Sequence, residues 1–199
     1  MLSYSVRALL VSLVLLGLVS YSQAAPSAGI PKIFSKEAGD GMRLRTLRRV
    51  GVGLSLAGVS GLAGLSMELN FSASTSVILG YGVGRPFNSF TLQVKRALGG
   101  QWFVPYLAAG YTQWFGGKIS ENAVSDTYPA FLGQRFLDSS AQKEGKISEH
   151  LLHPTLGVQY LQLKGPWAGL SVYLEGLFLI DIVDFVAAPA AGMGMIYYF

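Results

Sequence analysis

The sequence contains no cysteine. That excludes a disulfide framework, a thiolate metal site and lipoprotein acylation at a cysteine. Charge is scarce as well. Asp, Glu, Lys and Arg make up 13% of the residues, about half of the roughly 25% usual for a soluble domain. The only two histidines, His150 and His153, are spaced by three, which puts them on opposite faces of a strand and argues against a shared metal. Against these shortages stand 51% apolar residues and 25 glycines. A soluble globule has difficulty covering itself with so little charge. A membrane barrel needs polar residues on one face only.

The formal net charge is +4, and +3 once Arg7 is removed with a leader. The basic residues gather in Arg43-Leu-Arg-Thr-Leu-Arg-Arg49. In an exported protein so compact a cluster does not read as nucleic-acid binding. It reads as a solvated arm near phospholipid head groups, where basic side chains gain modest attraction.

The N-terminus carries an export pattern. Arg7 precedes the apolar run Ala8–Val19, and small residues at Ser22 and Ala24 come just before Ala25-Pro26. These are the three regions of a secretory signal peptide, with cleavage expected after Ala24. The run is too short to span a bilayer, which takes about 20 helical residues. Residues 1–24 are thus a leader, 25–48 an N-terminal periplasmic arm, and 49–199 a single domain. The arm either trails in the periplasm or folds back to plug a lumen with Ile33-Phe34.

From Arg49 onward apolar residues recur with period two. Val50, Val52, Leu54 and Leu56 oppose Gly51, Gly53, Ser55 and Ala57. Leu65, Met67, Leu69 and Phe71 oppose Ser66, Glu68 and Asn70. Comparable segments lie near 76–83, 90–95, 103–115, 152–160, 170–178 and 190–199. Period two marks strands whose faces meet different solvents. Eight segments is an even count, as bacterial single-chain barrels have. The fold class is therefore all-β, an eight-stranded antiparallel up-and-down transmembrane β-barrel. A competing reading takes the uncharged stretch Val50–Met67 as a transmembrane helix. Its glycines weaken a helix, and no matching partner segment exists.

With both barrel termini periplasmic, the turns near 72–75, 98–101 and 164–167 are short and periplasmic. The polar stretch 117–149 is a long extracellular loop, the asymmetry expected of such barrels. Its Tyr128, Phe131, Phe136 and Leu137 can cap the barrel mouth or contact a surface ligand. Trp102, Phe103 and Trp167 at one end, with Trp114 at the other and Phe199 at the terminus, read as an aromatic girdle. Phe103 to Trp114 covers roughly 28 Å at strand rise and a tilt near 40°.

The opposite face of the strands is dominated by Gly51, Gly53, Gly80, Gly82, Gly110, Gly157, Gly192 and Gly194. Arg49, Glu68, Lys95 and Glu175 are expected among them as a lumen polar network, because unpaired charges in a narrow barrel are costly.

The last strand ends Met193-Gly-Met-Ile at 193–196 and then Tyr197-Tyr-Phe199. Met193, Met195, Tyr197 and Phe199 share a face. This resembles the C-terminal strand signal of bacterial outer-membrane barrels, with Met195, Tyr197 and Phe199 as the part read during assembly. Residues 49–199 as a whole resemble the small OmpA- and OmpX-type barrels. The resemblance implies a Gram-negative outer membrane, with lipid and lipopolysaccharide as surroundings and the barrel assembly machinery as partner. It also implies a lumen filled by polar contacts, without cofactor, metal or catalysis. A structural or surface-interaction role is the consequence, the alternative being a narrow, porin-like path for small or hydrophobic solutes. A lipid A-modifying enzyme is a second alternative, with His153 near Ser148 and Glu149. The His-x-Ser-Asn arrangement of the lipid A deacylases is missing.

Purified, folded protein is expected to give a strand-rich circular dichroism spectrum and a gel band that shifts on boiling. A helical spectrum would overturn the period-two reading.

Overall fold

The structure, a computed structural model, describes residues 40–84, 87–118, 132, 135, 136 and 146–199, all within the unit Glu37–Phe199. Residues 1–24, the expected leader, and Ile33-Phe34 lie outside the described residues. A short helix, α1 (Asp40–Leu47), precedes eight strands: β1 (Val50–Ala57), β2 (Ala63–Asn70), β3 (Thr75–Val83), β4 (Asn88–Ala97), β5 (Phe103–Lys118), β6 (Lys146–Leu161), β7 (Leu170–Asp181) and β8 (Ala187–Tyr198). Each strand pairs antiparallel with the next. β1 closes the ring on β8, with Gly51 opposite Tyr198 and Ala57 opposite Gly192. Closure removes both sheet edges over the height that all eight strands share.

Alternation sets the two faces. Outward residues such as Leu54, Leu65, Phe90, Leu107, Leu156 and Leu174 are exposed, while their inward neighbours are mostly buried. Among the described residues no helix is long and apolar enough to cross a membrane. The stretch Val50–Met67 contains β1, one 3-10 turn at Gly58–Ser60, and most of β2. Ala57, Gly58 and Gly61 have positive φ, and the turn is buried rather than projecting. Gly82 makes room for it: a Cβ there would collide with the Ser60 carbonyl oxygen.

The walls are uneven in height. β1 and β2 have 8 residues each, β5 and β6 have 16 each. At a rise near 3.3 Å and a tilt near 40° these lengths stand for roughly 20 Å and 40 Å. The β5–β6 hairpin therefore rises well above the β1–β2 side, and strand continues into the stretch 117–149, which the sequence pattern assigns to loop. Pairing runs to Lys118 opposite Lys146, with a bulge between Gly116 and Lys118. Pro154 has no N–H, and the β6–β7 ladder is interrupted beside it, between Leu152↔Ile180 and Thr155↔Leu177.

Several inward glycines, among them Gly51, Gly157 and Gly194, face aromatic rings. A Cβ at Gly157 would collide with the Tyr106 ring, and one at Gly194 would lie 2.5 Å from the Tyr173 hydroxyl. Small residues on one strand thus leave the volume that large residues on the next strand fill, as an eight-stranded interior requires. At outward Gly176 an added Cβ would meet nothing within 4 Å. Gly157→Ala is expected to cost about 1–3 kcal/mol by overpacking, whereas Gly176→Ala should stay within about 0.5 kcal/mol. Urea titration of the heat-modifiable band checks the contrast.

Candidate functional site: the barrel lumen

The barrel has a terminal end, which holds Val50 and Phe199, and an opposite loop end. β2 carries Glu68 inward near the terminal end, where it is fully buried. Its Oε1 takes an ion pair from Arg45 Nη2 at 3.0 Å and a hydrogen bond from the Ser76 hydroxyl at 2.6 Å. Its Oε2 takes Lys95 Nζ at 3.2 Å and the Tyr198 hydroxyl at 2.8 Å. Gln159 binds the same groups from the far wall. Its Oε1 accepts from Lys95 Nζ at 2.8 Å and from Arg45 Nη1 at 3.3 Å. Its Nε2 donates to the Ser171 hydroxyl at 2.6 Å and the Tyr198 hydroxyl at 2.7 Å. One carboxylate therefore accepts four contacts, which offset the desolvation of a buried charge.

Glu175 lies apart from this carboxylate. Its Oε2 accepts the Tyr106 hydroxyl at 2.9 Å, and Lys95 Nζ stands 4.4 Å above the Tyr106 ring. Tyr106 thus links the second carboxylate to the ammonium group. The expected residues Glu68 and Lys95 meet directly, and Glu175 joins through a phenol. Arg49 does not join. It is exposed, and Arg45 occupies the lumen in its stead.

Arg45 reaches the lumen because the expected solvated arm is, over residues 40–47, a helix seated in the terminal mouth. Eight residues are too few for a stable isolated helix, so packing must hold it. Met42 and Arg45, three apart, share the buried face, while Leu47 is exposed. Met42 packs in a cluster with Val104, Leu161, Ile196 and Tyr198. Gly41 allows close approach to the β4–β5 turn, since a Cβ there would collide with the Gln101 carbonyl oxygen. Arg45 Nε also donates to the Ala73 carbonyl in the β2–β3 turn at 3.1 Å.

The loop end is closed by an apolar layer. The sequence pattern puts Trp114 in the girdle, but it is inward and 0% exposed. It lies eleven positions after outward Phe103, and an odd separation along a strand changes face. Its ring stacks on Phe87 at 4.0 Å and meets Phe136 edge-on at 5.8 Å, and its Nε1 donates to the Val59 carbonyl at 3.3 Å. Leu132, Ile147, Leu151 and Leu179 complete the layer. Phe136 therefore packs into the mouth; Tyr128, Phe131 and Leu137 lie outside the described residues. The other expected girdle residues are at the terminal end. Phe103, Trp167 and Phe199 are exposed there, and half-buried Trp102 stacks near Tyr160. Met195 and Tyr197 face outward on β8.

Between polar and apolar layers remains a cavity of about 30 Å³, bordered by Ser60, Ser66, Thr91, Gln93, Lys95 and Glu175 among others. His153 is buried in the lumen and contacts the Thr155 hydroxyl at 3.3 Å. His150, on the other face, bonds Tyr111.

Sequence reasoning missed Arg45, Ser76, Gln159, Tyr106 and Tyr198. The last four were legible as inward positions of their strands. Arg45 was not, because no strand period covers it.

No family model matches the chain, and no curated protein matches it. Among solved structures it is similar to the N-terminal β-barrel domain of Pseudomonas aeruginosa OprF. The identity is 15%, the match covers 75% of this chain and 95% of that chain, and the TM-score is 0.51. At that identity the likeness shows the shared eight-stranded barrel fold.

Glu68→Gln leaves Arg45 and Lys95 buried without their counterion and should cost about 3–5 kcal/mol. Arg45→Met leaves Glu68 its contacts to Lys95, Ser76 and Tyr198, so about 1–3 kcal/mol is expected. Unfolding midpoints in urea rank the two.

Proposed function

We propose that this chain is an integral barrel of a Gram-negative outer membrane with a structural or surface-interaction role. Its terminal end stands in the periplasm and its β5–β6 connection outside, and it neither conducts solute nor catalyses. Four features support the membrane placement: the leader pattern, the closed strand ring, the exposed apolar outer face, and the aromatics Phe103, Trp167 and Phe199 at one rim. The unequal walls support the orientation, because the tall β5–β6 hairpin carries the long connection away from the termini.

The observation that carries the functional reading is the filled lumen. Arg45 and its partners occupy the terminal end, the Trp114 layer occupies the loop end, and a cavity of about 30 Å³ lies between. An ion path needs a continuous wet column, and this interior is packed with side chains instead. A rigid barrel of this kind serves as a platform for what its loops display.

In planar bilayers the purified chain is expected to give no conductance steps above baseline. Reproducible ohmic steps, altered by Glu68→Gln or Lys95→Met, would overturn the closed-lumen reading in favour of a narrow channel.

A further inference from the structure

Cations gather at the terminal end of the barrel. At the terminal end the surface carries Arg43, Arg48, Arg49, Arg96 and Lys164. Among the described residues, Glu68 and Glu175 lie in the lumen and Glu149, Asp181 and Asp184 in the loop-end half, while Asp40 opens α1 at the terminal end. Three of the cations converge on one pocket of about 250 Å³, formed where α1 meets the β6–β7 turn. It is lined by Arg43, Leu44, Leu47, Arg48, Leu163, Lys164 and Ala168.

The pocket has a fixed back wall. Arg48 Nη1 donates to the Ala168 carbonyl at 2.6 Å and to the Tyr198 carbonyl at 2.9 Å. Gly169, at φ +99°, leaves the room this guanidinium takes; a Cβ there would collide with Arg48 Nη1. Arg48 Nε and Nη2 make no hydrogen bond among the described residues, and neither do the side chains of Arg43 and Lys164. A preset guanidinium flanked by two unengaged cations is a phosphate-binding arrangement. The remaining lining is leucine and alanine, with exposed Leu47 and Trp167 close by in sequence. A free inorganic anion has no use for such walls, whereas a phosphate carrying acyl chains does.

We infer that this pocket binds the phosphate of a membrane glycerophospholipid in the leaflet at the terminal end, an inference that rests on the membrane reading above. Arg43, Arg48 and Lys164 hold the phosphate, and Leu44, Leu47 and Leu163 meet the start of the acyl chains. Because α1 and the residue just after it supply two of the three cations, the same lipid braces the helix that closes the lumen.

The test uses the full chain folded in dodecyl maltoside micelles, titrated with dimyristoylphosphatidylglycerol and followed by native mass spectrometry. Arg43→Gln combined with Lys164→Gln removes two cations that bond nothing else among the described residues, so an unchanged urea midpoint is expected. One retained lipid is expected, held about tenfold more weakly by the double variant. Dimyristoylglycerol, which lacks the phosphate, should not be retained, and inorganic phosphate should not displace the phospholipid. Equal retention of dimyristoylglycerol, unchanged retention by the variant, or no retention by a folded barrel would overturn the inference. Displacement by inorganic phosphate would overturn the lipid assignment and leave a free-anion site. Failure to form a heat-modifiable barrel in micelles would defeat the membrane reading itself.

Discussion

A closed ring of eight strands leaves an interior only as wide as the side chains that line it, and everything else in this molecule answers to that width. Each inward ring must meet a small residue across the ladder, so Tyr106 lies on Gly157 and Tyr173 on Gly194. Each inward charge must be met by partners within reach, because water has no continuous access. Glu68 meets that demand with four contacts, drawn from α1, β3, β4 and β8. Those contacts tie distant parts of the ring to one atom group.

The same constraint explains the division of the lumen into layers. Polar residues gather towards the terminal end, where α1 can lend an arginine. Apolar residues gather at the loop end, where Trp114, Phe87 and Phe136 pack together and the Gly58–Ser60 turn folds inward. The uneven wall fits this arrangement. The short β1–β2 hairpin turns into the mouth, while the tall β5–β6 hairpin continues past it. A barrel filled in this way leaves little free space inside, and its cations gather at the terminal rim.

Helix α1 has a double position. One face puts Met42 and Arg45 among lumen residues, and the adjoining side, with Arg48 just beyond it, contributes Arg43 and Leu47 to the rim. Closure of the lumen and part of the basic rim are therefore made by one short element. Its own backbone hydrogen bonds would not hold it as a helix in water. Its order depends on what it packs against.

Much of this was determined by sequence alone. Alternation in β1 through β8 comes from the pleat, which sends successive side chains to opposite sides whatever their partners, so the inward glycines, Glu68, Lys95 and Glu175 were legible. Trp114 was legible too by the parity of its distance from Phe103, although its depth in the strand suggested a girdle. Tertiary structure alone decided which charges meet. Arg45 and Arg49 belong to the same basic run, and nothing in the run says which one enters the lumen. That choice depends on where a helix of eight residues finds a complementary mouth, with room at Gly41 and acceptors at Glu68, Gln159 and Ala73. Local pattern sets which face a side chain takes; only closure of the ring sets which side chains share a space.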